Sequence, residues 1–210
     1  MNYRVVIGVF LLACLTVVAD AKGRDLYRFD SPQAARQWRT VNDTVMGGRS
    51  IGRMKLVQNN RLMFSGTISK ENNGGFAGVK TRAARPIGLK KGDVIVARVR
   101  GDGRQYLFNL MYASDIVGEG PFIKGRRRPE GFSYRQPFET KAGDWIEVRL
   151  PVDKSVTVWR GRQFPNENFD PGKVGGIRFL VKGEPGPFKL EVEWIKVVSP
   201  PRRGGKAVAN

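Results

Sequence analysis

The chain has 210 residues, with 37 Lys or Arg against 19 Asp or Glu, for a formal net charge of +18. It holds no histidine and one cysteine, Cys14. That composition excludes an internal disulfide, thiolate or imidazole zinc sites, and serine or cysteine triads with a histidine base, while the length suits one domain.

The first residues read MNYRVVIGVFLLACLTVVADA. Arg4 precedes an apolar run from Val5 to Val18, and Ala19-Asp20-Ala21 follows. This is the layout of a secretory signal with an A-x-A cleavage site. The run of 14 residues is short of the roughly 20 that a membrane span needs. The expectation is a signal peptide over 1–21 and a periplasmic or secreted chain. A lipid-anchored form is the competing reading, with Leu11-Leu12-Ala13-Cys14 as a lipoprotein box and Cys14 lipidated. Leu15, Thr16, Val17 and Val18 would then begin the mature chain, and they read as unfinished signal core. Removing 1–21 takes away Arg4 and Asp20 and leaves the net charge at +18. Such a surface attracts phosphates, anionic lipid or acidic polysaccharide. An exported location argues against nucleic acid as the partner.

One short helix is expected after the signal, with Ser31 as N-cap, Pro32 in the first position and QAARQW behind it. Everything beyond Thr40 reads as strands and turns. VNDTVMGGRS, Val41 to Ser50, has glycines, an arginine and a serine, but not the G-x-x-x-x-G-K-[ST] of a phosphate loop, and no helix pattern follows it. RMKLVQNNRLMFSGTIS is a hairpin candidate, with Asn59-Asn60 able to take the positive φ angles of its turn. DVIVARVR is a strand ending in the turn Gly101-Asp102-Gly103. QYLFNLMYAS is apolar on both sides over most of its length, as expected of a strand buried on both faces. The run GRRRPEG, with Arg126, Arg127 and Arg128 adjacent, is expected to be a loop that contacts anionic lipid or an acidic partner. WIEVRLPV, GGIRFLVK and FKLEVEWIKVV supply the last strands, with Phe188, Leu190, Val192 and Trp194 on one face. Short strands between Gly- and Pro-rich turns indicate a β-sandwich or barrel. The domain is expected over 22–198, and 199–210 as a disordered basic tail.

A second glycine pair lies in ENNGGFAGVKTR, again between polar residues and a strand, where glycine permits a bulge or a close backbone approach. The stretches WRTVNDTVMGGRS, FSGTISKENNGGFAGVKTR, VRGDGRQYLF and GPFKLEVEWIKV occur in this order. Together they resemble the complex I intermediate-associated protein 30 family, from about Phe29 to Val198. The resemblance implies an all-β jelly-roll sandwich, galactose-binding-domain-like, similar to several carbohydrate-binding modules. It implies a non-catalytic protein without cofactor, since the mitochondrial members are assembly factors for the membrane arm of respiratory complex I. An exported bacterial member would act on the opposite side of the membrane from the matrix counterpart. A protein partner in or at the membrane is therefore expected, and a carbohydrate-binding module for an envelope or extracellular glycan is the alternative.

The candidate binding residues are Asn42, Asp43 and Arg49 of the first motif, Glu71, Asn72 and Asn73 of the second, and Asp102 and Arg104 of the third. Asn and Asp match sugar hydroxyls, and Arg matches carboxylate or phosphate. The competing reading is structural: Asn and Asp before turns bond their own backbone, and Arg49 pairs with Asp43 or Glu71 to lock two loops together. Asp43 and Glu71 also form a nominal acid–base pair, but without histidine or a nucleophile motif no catalytic residue is assigned. Gly101-Asp102-Gly103 lacks the spacing of a calcium loop, so no metal is assigned. Trp38, Trp145, Trp159, Trp194, Tyr106, Tyr112 and Tyr134 are the rings available for stacking on a sugar, with Trp145 and Trp159 nearest strand edges.

Overall fold

Strand-period alternation governs the chain once the first helix is passed, and the strands bury one face of each of two sheets against the other. The structure, a computed structural model, describes residues 23–58, 60–82, 85–113, 122–123, 126–127, 133–159, 162–164 and 169–201. The expected signal peptide, Cys14, Asn59, Arg128 and nearly all of the expected tail lie outside these residues.

In chain order the elements are β1 (Arg24–Arg28), α1 (Pro32–Arg36), β2 (Trp38–Asn42), β3 (Ile51–Val57), β4 (Arg61–Ile68), β5 (Phe76–Thr81), β6 (Val94–Arg100), β7 (Gln105–Tyr112), β8 (Phe122–Ile123), β9 (Arg126–Arg127), β10 (Ser133–Glu139), β11 (Trp145–Pro151), β12 (Val156–Trp159), β13 (Arg162–Gln163), β14 (Val174–Lys182) and β15 (Gly186–Val198). One sheet has six strands in the order β11-β6-β15-β4-β3, with β1 also paired to β15. The other has seven, in the order β13-β12-β10-β7-β14-β5-β2. Phe64, Phe188, Leu190 and Val192 from the first sheet meet Trp38, Phe108, Phe179 and Val79 from the second, all buried. Full burial of each such side chain stabilises by roughly 1.5–3 kcal/mol.

The short helix begins as expected: the Ser31 hydroxyl accepts from the Ala34 N–H at 3.4 Å, and Pro32 occupies the first turn. The β3–β4 hairpin forms with Asn60 at φ 55°. β7 is buried along both faces from Tyr106 to Tyr112, as its double-sided apolar pattern predicts.

Two expectations need correction. Trp194 does not continue the core row of Phe188, Leu190 and Val192. A register shift between Val192 and Trp194 reverses the alternation, so Ile195 and Val197 enter the core and Trp194 is half-buried with Lys196 4.5 Å above its ring. The basic run is also not a plain loop, because Arg126 and Arg127 form β9, paired with Ile123 and Phe122. Local residue types do not report such pairings.

Candidate functional site

The two glycine-pair motifs meet around one side chain. Asp43 opens a 3-10 turn, Asp43–Met46, that follows β2 and closes at Gly47 with φ 87°. Its side chain is fully buried. One carboxylate oxygen accepts from the Ser50 N–H at 2.9 Å, and the other accepts from the Gly75 N–H at 2.6 Å and the Phe76 N–H at 3.1 Å. A charged side chain in that position is tolerated because oriented backbone dipoles replace its water.

The glycines make room for it. A Cβ on Gly48 would lie 2.5 Å from the Asp43 Cγ, and one on Gly74 would lie 2.6 Å from its Oδ2. Ser50, also buried, completes the lock: its hydroxyl accepts from the Ser69 N–H at 3.0 Å and donates to the Ser69 carbonyl at 3.1 Å. Sequence reasoning placed the glycines at strand entries but missed Ser50, Ser69 and this purpose. The available signal was the repetition of a Gly-Gly pair beside a strand in both motifs.

Burial opposes ionisation of Asp43, but its interactions with Ser50, Gly75 and Phe76 outweigh it and hold the carboxyl below the usual range. A folded-state pKa below the unfolded one contributes stability above the unfolded pKa, and that contribution is lost as pH falls through the folded value. Urea midpoints of the native chain should therefore drop as pH falls below about 4. Asp43→Asn should show a shallower fall. Glu191, depressed by Lys189 and Arg100 despite its burial, retains part of the slope in that variant.

The other candidates sit on the rim of this lock. Arg49 pairs with Glu71 at 2.9 Å, not with Asp43. Both partners are about two-thirds exposed (66% and 63%), so the pair contributes roughly 0–1 kcal/mol. Asn72 and Asn73 adopt left-handed backbone, φ 53° and 58°, and the Asn72 amide donates to the Gly47 carbonyl at 3.2 Å. Asn42 donates to the Gly52 carbonyl at 3.2 Å, while its Oδ1 is buried without a hydrogen bond. With both oxygens of Asp43 taken by backbone amides, Asp43 and Glu71 have no means of acting as an acid–base pair.

The third motif approaches through a neighbouring turn. Asp102 accepts from the Tyr106 hydroxyl at 3.1 Å and from the Lys189 N–H at 2.8 Å. Arg104 donates to the carbonyls of Glu184 at 2.7 Å and Pro185 at 3.2 Å. The Gly183 N–H then reaches the Gly75 carbonyl at 3.1 Å, and Lys70 reaches Glu184 at 3.7 Å. The three motifs thus gather at one end of the sandwich, joined through the 183–185 turn.

Beside these charged groups, this end exposes large apolar side chains. Val45 is 74% and Met46 67% exposed on the 3-10 turn, and Ile51 is 49% exposed at the start of β3. The aromatic candidates lie elsewhere. Trp38, Tyr106, Tyr112 and Tyr134 are core residues. Trp145 lies beneath the guanidiniums of Arg61, Arg98 and Arg100, at 5.0 to 5.6 Å, and Trp159 contacts Phe164 edge-on. Among the described residues no group of three or more His, Cys, Asp or Glu is placed to hold a metal ion.

This fold is shared with known carbohydrate-binding modules. The family 11 module from Clostridium thermocellum, solved with a β-1,3-1,4-mixed-linked tetrasaccharide, superposes with a TM-score of 0.56 at 16% identity, covering 84% of this chain and 96% of the module. The agarase AgWH50C matches with a TM-score of 0.54 at 12% identity, over 85% of this chain and 25% of the enzyme. In sequence, the mitochondrial complex I intermediate-associated protein 30 of Mus musculus is 25% identical over 197 residues, and its Drosophila melanogaster counterpart 23% identical over 197 residues. These matches cover 86% and 81% of this chain but only 57% and 61% of the relatives. A family model described as complex I intermediate-associated protein 30 matches residues 27–192, which include all three motifs and most strands of both sheets. The chain belongs to the complex I intermediate-associated protein 30 family.

Proposed function

We propose that this chain is a non-catalytic, protein-binding assembly factor for a membrane protein complex, acting from the periplasmic or outer side if residues 1–21 direct export. The observation that carries the reading is the exposed Val45–Met46 pair on a turn pinned by buried Asp43. Apolar side chains held in water cost free energy that a partner's surface recovers. A rigid backbone beneath them limits the ordering entropy lost on docking. Adjacent apolar anchors surrounded by polar groups such as Arg49 and Glu71 have the make-up of an interface centre with its rim. Arg126, Arg127 and Arg128 would hold the protein near an anionic membrane, at about 1 kcal/mol for each charge close to the surface.

The neutral-glycan alternative receives less support. Stacking on a pyranose needs an open aromatic face, and each of the four tryptophans is already packed in the core or engaged with a cation or another ring.

The test is complementation. Cells lacking the chain should accumulate partly assembled membrane complexes on native gels, and the native chain should clear them. Val45→Asp/Met46→Asp should leave the urea midpoint nearly unchanged, because exposed substitutions alter stability by about 0.5 kcal/mol or less, yet fail to clear the intermediates. Full complementation by that double variant would refute the reading.

A further inference from the structure

Each sheet ends on an edge strand, and two of these ends lie side by side. β3 closes one end of the six-stranded sheet, and β2 closes one end of the seven-stranded sheet. The Asn42 side-chain amide bridges them, donating to the Gly52 carbonyl at 3.2 Å. Beside that bridge a cleft of about 590 Å³ opens between the two strands. Buried Trp38 and half-buried Thr40 and Met54 line its base, and exposed Arg39, Arg53 and Arg82 line its margin.

The backbone of β3 is open along this side. β3 pairs antiparallel with β4 in an unbroken register from Ile51 to Val57, and with no other described strand. In such a strand the N–H and C=O of one residue point to the same side, and those of the next residue to the other. The Gly52 carbonyl reaches Asn42, away from β4, so the backbone groups of Met54 and Leu56 also face away from β4. The side chains alternate as well: Arg53 and Lys55 are exposed, while Met54 and Leu56 are half-buried against the core.

The charge on this edge has one sign. The lining of the cleft holds no Asp or Glu, and no described carboxylate pairs with Arg39, Arg53, Lys55 or Arg82. The Arg82 Nε donates to the Trp38 carbonyl at 3.0 Å, which leaves its terminal nitrogens for another acceptor. Further into the same sheet, carboxylates answer the cations: Glu191 binds Lys189 and Arg100 at 2.9 Å and Arg61 at 3.5 Å. Proteins guard open sheet edges with charge. A guard of a single sign repels a second copy of the chain and attracts a strand of opposite charge.

We propose that the β3 edge, with the arginine cleft beside it, binds an extended acidic segment of a partner protein as an added strand. Its backbone bonds Met54 and Leu56. Carboxylates on one row meet Arg53 and Lys55, and apolar residues on the alternate row cover Met54 and Thr40. Guanidinium forks match carboxylates in two-point hydrogen bonds, and Arg39 and Arg82 reinforce the field from the β2 side. A lipid surface or an inorganic polyanion offers the charge but no backbone to pair. The proposal rests on the protein-binding reading for the class of partner alone, and the Val45–Met46 tip is not part of this site.

The experiment is fluorescence anisotropy of a labelled, end-capped peptide of alternating Glu and Val, matched to the seven residues of β3. The purified full chain is titrated in at about 0.15 M salt. The peptide should bind. Its Gln-Val counterpart, and a Glu-Val peptide N-methylated along its backbone, should each bind about tenfold more weakly or worse. Arg53→Glu should weaken binding about fivefold or more. Arg149→Glu makes the same charge change on β11, at the other end of the same sheet, and should stay within about twofold. Bound peptide should also slow amide exchange at Met54 and Leu56. Equal binding of the N-methylated peptide, equal weakening by Arg149→Glu, tighter binding of inorganic polyphosphate than of the peptide, or unchanged exchange at Met54 and Leu56 would overturn the proposal. Failure of the peptide to bind would sink it too, and would leave the complementation result for the Val45–Met46 tip untouched.

Discussion

Asp43→Ala is expected to lower the unfolding free energy by about 3–5 kcal/mol, through loss of the buried carboxylate and exposure of its donors to an empty site. The Ser50, Gly75 and Phe76 amides would each lose the buried acceptor they share. The damage would spread beyond one loop, since the Gly75 and Phe76 amides lie 32 and 33 residues along the chain from Asp43. Urea denaturation reads the loss directly as a lower midpoint. The same variant should also fail in assembly complementation, because the turn carrying Val45 and Met46 starts at Asp43. An effect below about 1 kcal/mol would mean that solvent satisfies these amides and that the lock has little structural weight.

Gly48→Ala follows from the same geometry with the opposite cause, crowding instead of loss. Its Cβ would sit 2.5 Å from both Cγ and Oδ1 of Asp43, and overpacking of this kind costs about 1–3 kcal/mol. Gly48 does not occupy left-handed backbone, so alanine brings no conformational penalty of its own there. The diagnostic is a double-mutant cycle. In the Asp43→Ala background the clashing carboxylate is gone, so the second substitution should cost much less, giving a coupling of about 1–3 kcal/mol. Additive costs would show that Gly48 serves something other than Asp43. Gly74→Ala is a poorer choice for the cycle, because its Cβ would also lie 3.0 Å from the Glu71 and Ser69 carbonyls.

Much of the sandwich was legible because its signal is local. Alternation in DVIVARVR and WIEVRLPV fixes which residues face inward, and Asn59-Asn60 marks a tight turn between two alternating runs. What depended on distant pairing was not legible. β1, the five residues RDLYR, has too little pattern to stand out, and it becomes a strand by pairing with β15 beside the end of β4. Trp194 fits the core pattern residue by residue, and only the register shift before it shows that it points outward. The short β8–β9 pair likewise depends on a partner strand, not on the residue types of the basic run.

The candidate site divides in the same way. The motifs point to Asn42, Asp43, Arg49, Glu71, Asn72 and Asn73 as a group, and the fold does bring them to one end. Their division of labour was not visible, because the donors to Asp43 come from residues 50, 75 and 76. Two ionisable residues a few positions apart can have opposite fates: Asp43 is sealed inside while Arg49 and Glu71 meet in solvent.

The central claim is that two glycine-pair loops form one carboxylate-centred lock that holds an apolar tip rigid. Amide hydrogen exchange at Ser50, Gly75 and Phe76, followed by NMR in the native chain and in Asp43→Asn, tests it most directly. The account predicts protection in the native chain approaching that of the β7 and β14 core amides, and much faster exchange at all three sites in the variant. Native-chain exchange at the rate of an open loop, or no change on losing the carboxylate, would contradict it.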